Sequence, residues 1–269
     1  MTTIRIAVAG ASGRMGRTLV AALGETIDMK LAAALERVGH ADLGKDAGTL
    51  AGLAPANVAI TDNAKAGLGK ADAVLDFTIP AASVALAELA SDAGIVHVIG
   101  TTGLTPADMT RLKAAARKAV IVQSGNMSLG VNLMAALVRE AAKVLPNYDV
   151  EIVELHHRMK VDAPSGTALL LGEAAAKGRG VSLNQKQVRA RDGQTGARPN
   201  GVIGFASLRG GTVVGEHTVV LAGAGERIEL THRAEDRMIF ARGAIAAARW
   251  GQGKAPGLYS MADVLGLPA

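Results

Sequence analysis

The chain of 269 residues contains no cysteine. That excludes disulfides, cysteine-bound zinc, iron–sulfur clusters and thiol catalysis together. Aromatic residues are only 2% of the sequence, although 49% is hydrophobic. The core must therefore be built from Ala, Val, Leu and Ile, small side chains that suit helices packed closely on a sheet. So few Phe, Tyr and Trp also argue against base-stacking surfaces. The net charge is +5 with a pI near 9.6, but no Lys/Arg block is present. Such a diffuse excess attracts small anions and is not a nucleic-acid footprint. No apolar run reaches the roughly 18 residues of a membrane span. The opening MTTIRIAVAGASG runs straight into a strand pattern without a signal-peptide core. These absences predict a soluble cytoplasmic protein with no nucleic-acid or membrane partner.

The hydrophobic pattern predicts an α/β protein. Short apolar runs over Ile4–Ala9, Met29–Leu35, Asp72–Ile79, Val96–Thr101 and Ala119–Gln123 read as buried strands. Helical segments over Arg14–Leu23, Ala81–Asp92 and Pro106–Lys118 separate them. Strands alternating with helices imply a Rossmann-like doubly wound parallel sheet. A long helix, Ser128–Leu145, is stopped by Pro146, and a strand follows over Asp149–His156. Beyond the helix SGTALLLGEAAAK, the stretches VIGFASL, TVVGEHTVVLA and ERIELTHR predict a more open, partly antiparallel sheet. Met238–Trp250 reads as a closing helix. The expected organisation is a dinucleotide-binding domain, 1–127 plus 238–269, and a smaller α+β substrate-binding and oligomerisation domain, 128–237.

Gly10, Gly13 and Gly16 form G-x-x-G-x-x-G between the first strand and the first helix. Glycine there permits a tight turn and lets backbone N–H groups approach a pyrophosphate at a helix N-terminus. The second strand ends in Glu36, 20 residues after Gly16, where a ribose-binding carboxylate is expected. A packing turn in a non-binding sheet is the alternative. Arg37 follows: a lone acid favours the free 2′-OH of NAD, whereas a nearby arginine suits the 2′-phosphate of NADP. A solvated charge would also account for Arg37. Two later loops, Gly100-Thr101-Thr102-Gly103 and Ser124-Gly125-Asn126-Met127, follow strand ends, where such sheets bind ligands. Thr101, Thr102 and Asn126 offer side-chain hydrogen bonds to a nicotinamide ribose or carboxamide, although Gly, Ser and Asn also favour plain turns.

The densest concentration of titratable groups is ELHHRMKVDAPSGTA, Glu154–Ala168. Pro164-Ser165-Gly166-Thr167 opens an apolar helix, so its free N–H groups and hydroxyls can hold a carboxylate or phosphate. Lys160 adds a positive charge just upstream, and Arg158 adds another that could equally face solvent. A plain helix cap at Ser165 or Thr167 is the alternative. His156 and His157 are both possible general acids near neutral pH. Neighbours on a strand point to opposite faces, so only one can face a given pocket unless the chain bends there. Asp162 suits loop orientation better than reaction. A metal held by His156, His157, Asp162 and Glu154 is disfavoured, because adjacent histidines have poor geometry for one ion. No metal is expected.

This signature resembles that of the 4-hydroxy-tetrahydrodipicolinate (dihydrodipicolinate) reductases. The likeness extends to VAGASGRMG, to DFT at Asp76–Thr78, to IGTTG at Ile99–Gly103, to GNMSLGVN at Gly125–Asn132, and to IGFASLRGG and VGEHTV. It implies a Rossmann domain, a smaller α/β substrate domain and a homotetramer. It also implies hydride transfer from NADH or NADPH to a cyclic imine dicarboxylate, in diaminopimelate and lysine biosynthesis. Residue by residue, the resemblance makes His156 the proton donor and Lys160 the other catalytic residue. His157, Gly166 and Thr167 become substrate contacts. Gly10, Ala11, Ser12, Gly13, Arg14, Met15, Glu36, Arg37, Gly100, Thr101, Thr102, Ser124, Gly125, Asn126 and Met127 become cofactor contacts. Met127 departs from relatives that carry phenylalanine, so ring stacking is not carried over. The rival readings are another two-domain nicotinamide dehydrogenase acting on an aldehyde or amino acid, and a catalytically silent nucleotide sensor. The missing cysteine removes a thiohemiacetal route, and a sensor would not need HHRMK beside SGT.

Overall fold

The structure, a computed structural model, describes residues 3–267. The two residues at each end of the chain, which include the close of the expected first domain, lie outside the described residues. The described chain divides into two compact units, one running to Leu129 and resumed over Arg237–Leu267, the other Gly130–Asp236.

The first unit begins β1 (Ile4–Ala9), α1 (Arg14–Gly24), β2 (Met29–Leu35), α2 (Ala47–Leu50), β3 (Ile60–Thr61) and α3 (Ala64–Leu68). It continues with β4 (Ala73–Asp76), α4 (Pro80–Ala93), β5 (Val96–Ile99), α5 (Pro106–Ala115) and β6 (Val120–Gln123). The helix α6 (Leu129–Val144) leads into the second unit. That unit holds β7 (Asp149–His156), α7 (Gly166–Gly178), α8 (Leu183–Lys186), β8 (Gln187–Val188), β9 (Ile203–Arg209), β10 (Gly215–Ala222) and β11 (Arg227–Ala234). The chain returns through α9 (Met238–Gly251), β12 (Gly257–Tyr259) and α10 (Met261–Leu265).

The first sheet has seven strands in the order β12-β6-β5-β4-β1-β2-β3, and every neighbouring pair is parallel. Ile6, Ala7 and Val8 of β1 are all fully buried, as a parallel strand covered on both faces requires. Glycines set how closely its layers approach. A Cβ at Gly67 of α3 would lie 2.6 Å from the Leu35 side chain, and one at Gly251 would lie 2.7 Å from that of Val96. The helix α4 starts on Pro80 and ends on Gly94 at φ +65°, which follows the preference for Pro at the first helical position and Gly just past the end.

Two predicted strands of the first sheet are shorter than their apolar runs by more than one residue. Asp72–Ile79 contracts to Ala73–Asp76 because the Asp76 carboxylate accepts hydrogen bonds from the backbone N–H and hydroxyl of Thr78 and turns the chain. Val96–Thr101 stops at Ile99. The three-residue β12 adds an edge strand beside β6 that no periodicity announced.

The second sheet is mixed, in the order β11-β10-β7-β9-β8. Its β10 is antiparallel to β7 and β11, whereas β7 and β8 are parallel to β9. Along β7, Val150, Ile152, Glu154 and His156 are buried while their neighbours are half-buried. Val150 and Ile152 share a core with Val138 of α6 and Leu171 of α7. Two titratable residues therefore lie at the end of an otherwise apolar buried row.

Candidate active site

In the first unit, β1 delivers the chain into a turn that only glycines allow. Gly10 adopts φ +66°, and its carbonyl accepts the Gly13 N–H at 2.9 Å. A Cβ at Gly16 would lie 2.0 Å from that same carbonyl, so α1 can start this close to the turn only with glycine there. Gly13 caps α1 without a side-chain hydrogen bond. The first-turn N–H groups of Arg14, Met15 and Gly16 have no acceptor within the helix, so they offer an anion seat. The Glu36 carboxylate reaches this turn, accepting the Ser12 N–H at 3.2 Å and the Arg37 N–H at 3.1 Å. Beside it opens a cleft of about 520 Å³ lined by Gly10, Gly13, Glu36, Arg37, Thr78 and the apolar side chains of α4. Glycine turn, carboxylate and apolar cleft fit the pyrophosphate, ribose and adenine of a dinucleotide. Arg37 is exposed at the rim.

The two later loops differ from the side-chain reading. Thr101 is buried, and its hydroxyl accepts a hydrogen bond from Ser83 at 2.7 Å, so that hydroxyl is turned inward. Thr102 is exposed. Gly100 is packed under Phe77, whose ring a Cβ there would approach to 2.4 Å. Ser124 and Asn126 build the turn after β6: the Ser124 hydroxyl donates to the Asn126 carbonyl, and the Asn126 side chain accepts the Ser128 N–H. Gly125 is exposed at its tip. The Met127 side chain is buried in the core, and its carbonyl lies where a Cβ on Gly243 would be.

Behind these loops lies a polar cluster without a sequence signal. Nε2 of His97 is 3.2 Å from the Asp76 carboxylate, and both side chains are fully buried. Burial works to raise the Asp76 pKa, but hydrogen bonds from His97, Ser83 and Thr78 hold it below the usual carboxylate range.

In the second unit, β7 ends at His156, so His157 lies just outside the strand, before a turn at 158–159. The N–H of His157 bonds the Val213 carbonyl and its side chain is half-buried. His156 lies against Glu154, with Nδ1 2.5 Å from Oε2. The guanidinium of Arg209, at the end of β9, grips the same carboxylate at 2.8 and 3.0 Å. The Ser165 N–H also donates to it, at 3.2 Å. Burial works to raise the Glu154 pKa, but Arg209 and His156 hold it low. Burial pushes the His156 imidazole below its ordinary range, against the pull of Glu154. From β10, His217 packs edge-on to the His156 ring with centroids 5.0 Å apart, and its Nε2 is 2.9 Å from the Ser165 hydroxyl. Burial drives the His217 pKa down to about 3, so this ring is neutral at physiological pH.

Ser165 caps α7 by accepting the Ala168 N–H, and Gly166 and Thr167 form the first turn of that helix. Lys160 pairs with Asp162 at 2.8 Å, and the Asp162 carbonyl accepts a hydrogen bond from Arg209 at 2.6 Å. Arg158 is exposed. Lys160, Asp162, Arg209, Glu154 and His156 thus form one connected chain. Arg209 and His217 escaped the sequence reading; their only signal was membership in the IGFASLRGG and VGEHTV stretches. Among the described residues no three His, Asp or Glu side chains are grouped to hold a metal ion. No helix among them is long and apolar enough to cross a membrane.

Family models agree with both halves of this arrangement. Residues 4–127 match the N-terminus of dihydrodipicolinate reductase, and residues 130–265 match its C-terminus. The chain belongs to the dihydrodipicolinate reductase family. Among relatives, the 4-hydroxy-tetrahydrodipicolinate reductase of Beijerinckia indica subsp. indica is 64% identical over 99% of each chain. That of Parvibaculum lavamentivorans is 64% identical over 98% of each. The solved structure of dipicolinate-bound dihydrodipicolinate reductase from Paenisporosarcina sp. TG-14 superposes with TM-score 0.77 at 27% identity, covering 96% of this chain and 98% of that one. The structure of GenD2 from gentamicin A biosynthesis in complex with NAD shares the fold, with TM-score 0.60 at 16% identity over 95% of this chain and 87% of that one. As a member of that family, this chain is an oxidoreductase that binds a nicotinamide nucleotide.

Proposed function

We propose that the chain reduces 4-hydroxy-tetrahydrodipicolinate to tetrahydrodipicolinate in diaminopimelate and lysine biosynthesis, with His156 as proton donor and Lys160 as carboxylate anchor. The observation that carries the assignment of roles is the buried contact of His156 with Glu154, placed beside the SGT helix start on the same unit. The first unit, 1–127 plus 238–269, serves the cofactor, and 128–237 serves the substrate.

Loss of water from the substrate leaves a ring with a conjugated C=C–C=N system. A bound nicotinamide cofactor supplies the hydride, to the ring carbon farthest from nitrogen in that system. The electron pair moves toward nitrogen, giving an enamine. The His156 imidazolium then protonates the adjacent ring carbon, and the C=N bond re-forms. Lys160 exchanges its Asp162 partner for a substrate carboxylate, while Gly166 and Thr167 at the start of α7 hold a carboxylate with His157. Orientation carries much of the rate, because reacting atoms must meet at about 3–3.5 Å.

Both NADH and NADPH serve as reductant in this reading. Glu36 accepts from a ribose diol, and Arg37 at the cleft rim meets a 2′-phosphate. The working form is a cytoplasmic homotetramer with neither nucleic-acid nor membrane partners. Its support is the face of the second sheet opposite α6 and α7, which is only half-covered and leaves Leu208 52% exposed.

The deciding assay is oxidation of NADH and of NADPH with the cyclic imine dicarboxylate. Turnover is expected with both, and none with aldehydes or amino acids. His156→Gln should depress kcat, since general acid–base catalysis is worth about 10²–10⁴-fold, whereas His157→Gln should mainly raise KM. The reverse order would exchange their roles. Native mass spectrometry should give four copies.

A further inference from the structure

Three observations meet at one carboxylate. Glu154 is 1% exposed, yet it is a charged side chain in an apolar row. Its Oε2 is shared between His156 Nδ1 at 2.5 Å and Arg209 at 2.8 Å. Its Oε1 is taken by the other arm of Arg209 and by the N–H of Ser165. A buried carboxylate held this fully is costly to place unless its partners need it. A single arginine would have sufficed to neutralise it.

We propose that Glu154 is the positioning residue of His156, and that Arg209 limits its strength by competing for the same oxygen. The inference rests on the reading of His156 as proton donor and deepens it. With Nδ1–H aimed at Glu154, only Nε2 remains to deliver a proton, and the ring cannot turn. The carboxylate favours the charged, proton-donating imidazole, while the guanidinium on the carboxylate's far side withdraws part of that support. The reductase thereby keeps an acid that is charged when needed and still willing to give its proton up.

Every charged or titratable group facing the ring can be named. Glu154 comes from its own strand, Arg209 from β9, and His217 from β10, with Lys160 on the loop that follows β7; the N-cap of α7 contributes the neutral Ser165. His217 stays neutral and so cannot mimic the effect near pH 7. Lys160 and Arg209 both oppose protonation of His156, and Glu154 alone favours it. Neutralising Glu154 and neutralising Arg209 must therefore move His156 in opposite directions. A merely structural trio would lose stability in both variants and leave the pH profile of kcat unmoved.

The test is histidine NMR titration of the full-length protein, with His156 assigned by comparison with His156→Gln, alongside the pH profile of kcat. Glu154→Gln should lower the His156 pKa, so that kcat falls off at lower pH than in the wild type. It should also lose on the order of 10–100-fold in kcat at neutral pH, part of the 10²–10⁴ available to acid–base catalysis. Glu154→Asp should recover much of that loss. Arg209→Met should raise the His156 pKa and extend activity to higher pH. An unmoved titration, or one that moves the same way in both variants, overturns the proposal. If Glu154→Gln does not fold, the direction of the Arg209→Met shift decides alone: upward supports the proposal, and unmoved or downward overturns it. Opposed NMR shifts with an unchanged kcat profile would uphold the coupling and overturn the reading of His156 as proton donor.

Discussion

Asp76 and His97 sit on adjacent parallel strands, carboxylate to Nε2 at 3.2 Å, with neither side chain reaching solvent. The pair lies directly behind the loops that follow β4 and β5, since Asp76 also holds Thr78 and Ser83 holds Thr101. Removing a hydrogen-bond donor from a buried carboxylate leaves that charge uncompensated and costs about 3–5 kcal/mol. His97→Leu should lose stability on that scale in urea unfolding, with Asp76→Asn closer to neutral because the amide can still bond the ring and Thr78. The pH dependence follows from the depressed Asp76 pKa. A carboxylate whose folded pKa lies below its unfolded value of about 3.9 contributes stability that is present above that value and lost as pH falls through the folded pKa. The Asp76→Asn protein should therefore lose less stability than the wild type on going from neutral pH to below pH 4. Parallel losses in both proteins would deny the pair its role.

Arg37 should set the cofactor balance. Glu36 repels a 2′-phosphate, and Arg37 offers the guanidinium fork that offsets the repulsion. The side chain is exposed, so the contact is partly screened, and Arg37→Ala should weaken NADPH binding by roughly tenfold while sparing NADH, the lower end of a charge-assisted bond. Salt should weaken NADPH binding more than NADH binding in the wild type and equally in the variant. Equilibrium Kd values at two ionic strengths check this, and an unchanged NADPH/NADH ratio would return Arg37 to a solvated charge.

Much of this site was legible in sequence, for identifiable reasons. The glycine turn and Glu36 stand at a fixed separation in a strand–helix–strand unit, so backbone geometry is written into residue type. The strands β1, β2 and β7 coincide with their apolar or alternating runs because burial on both faces or on one leaves a clear pattern. The partners of the site were another matter. Arg209 meets Glu154 across 55 residues, and nothing in LRGG distinguishes that arginine from an exposed one. His217 and His97 are single histidines in alternating or apolar runs, where pairing depends on strand register. Thr101 was read as a ligand-facing hydroxyl because its loop follows a strand end, where such sheets bind ligands, yet Ser83 on α4 takes its hydroxyl inward.

Lys160 should be needed for substrate and not for cofactor. Its ammonium is paired with Asp162 at 2.8 Å, a partner that is exposed and easily exchanged for a substrate carboxylate. Lys160→Ala should lower kcat/KM by at least tenfold, since a hydrogen bond to a charged group is worth roughly 1.5–3 kcal/mol, and leave the Kd for NADH near the wild-type value. Pyridine-2,6-dicarboxylate, a flat ring with both carboxylates, should compete with substrate and bind the variant less tightly. A wild-type kcat/KM in Lys160→Ala would remove the anchor from the mechanism.

Gly215 offers the most specific probe of the proposed proton donor, because it meets His156 through space alone. A Cβ at this position would lie 2.9 Å from Nε2 of His156 and 3.2 Å from its Cδ2. Gly215 is not among the glycines with positive φ, so alanine meets no backbone obstacle there. The collision must be relieved either by spreading β10 from β7 or by turning the imidazole. Strand spreading would break backbone pairs at Glu216 and Leu155, whereas turning the ring breaks the 2.5 Å contact with Glu154 and the edge-on packing against His217. The ring should yield. Gly215→Ala is then expected to lower kcat by about 10²-fold, at the modest end of acid–base catalysis, with NADH binding unchanged. Because Gly215→Ala and Glu154→Gln would both act by releasing the same ring, their effects should fall well short of additive in the double variant, as expected for residues that share a partner. Steady-state kinetics on the two single variants and the double variant measure this. Full additivity of the two losses in kcat would mean that alanine at 215 disturbs something other than His156.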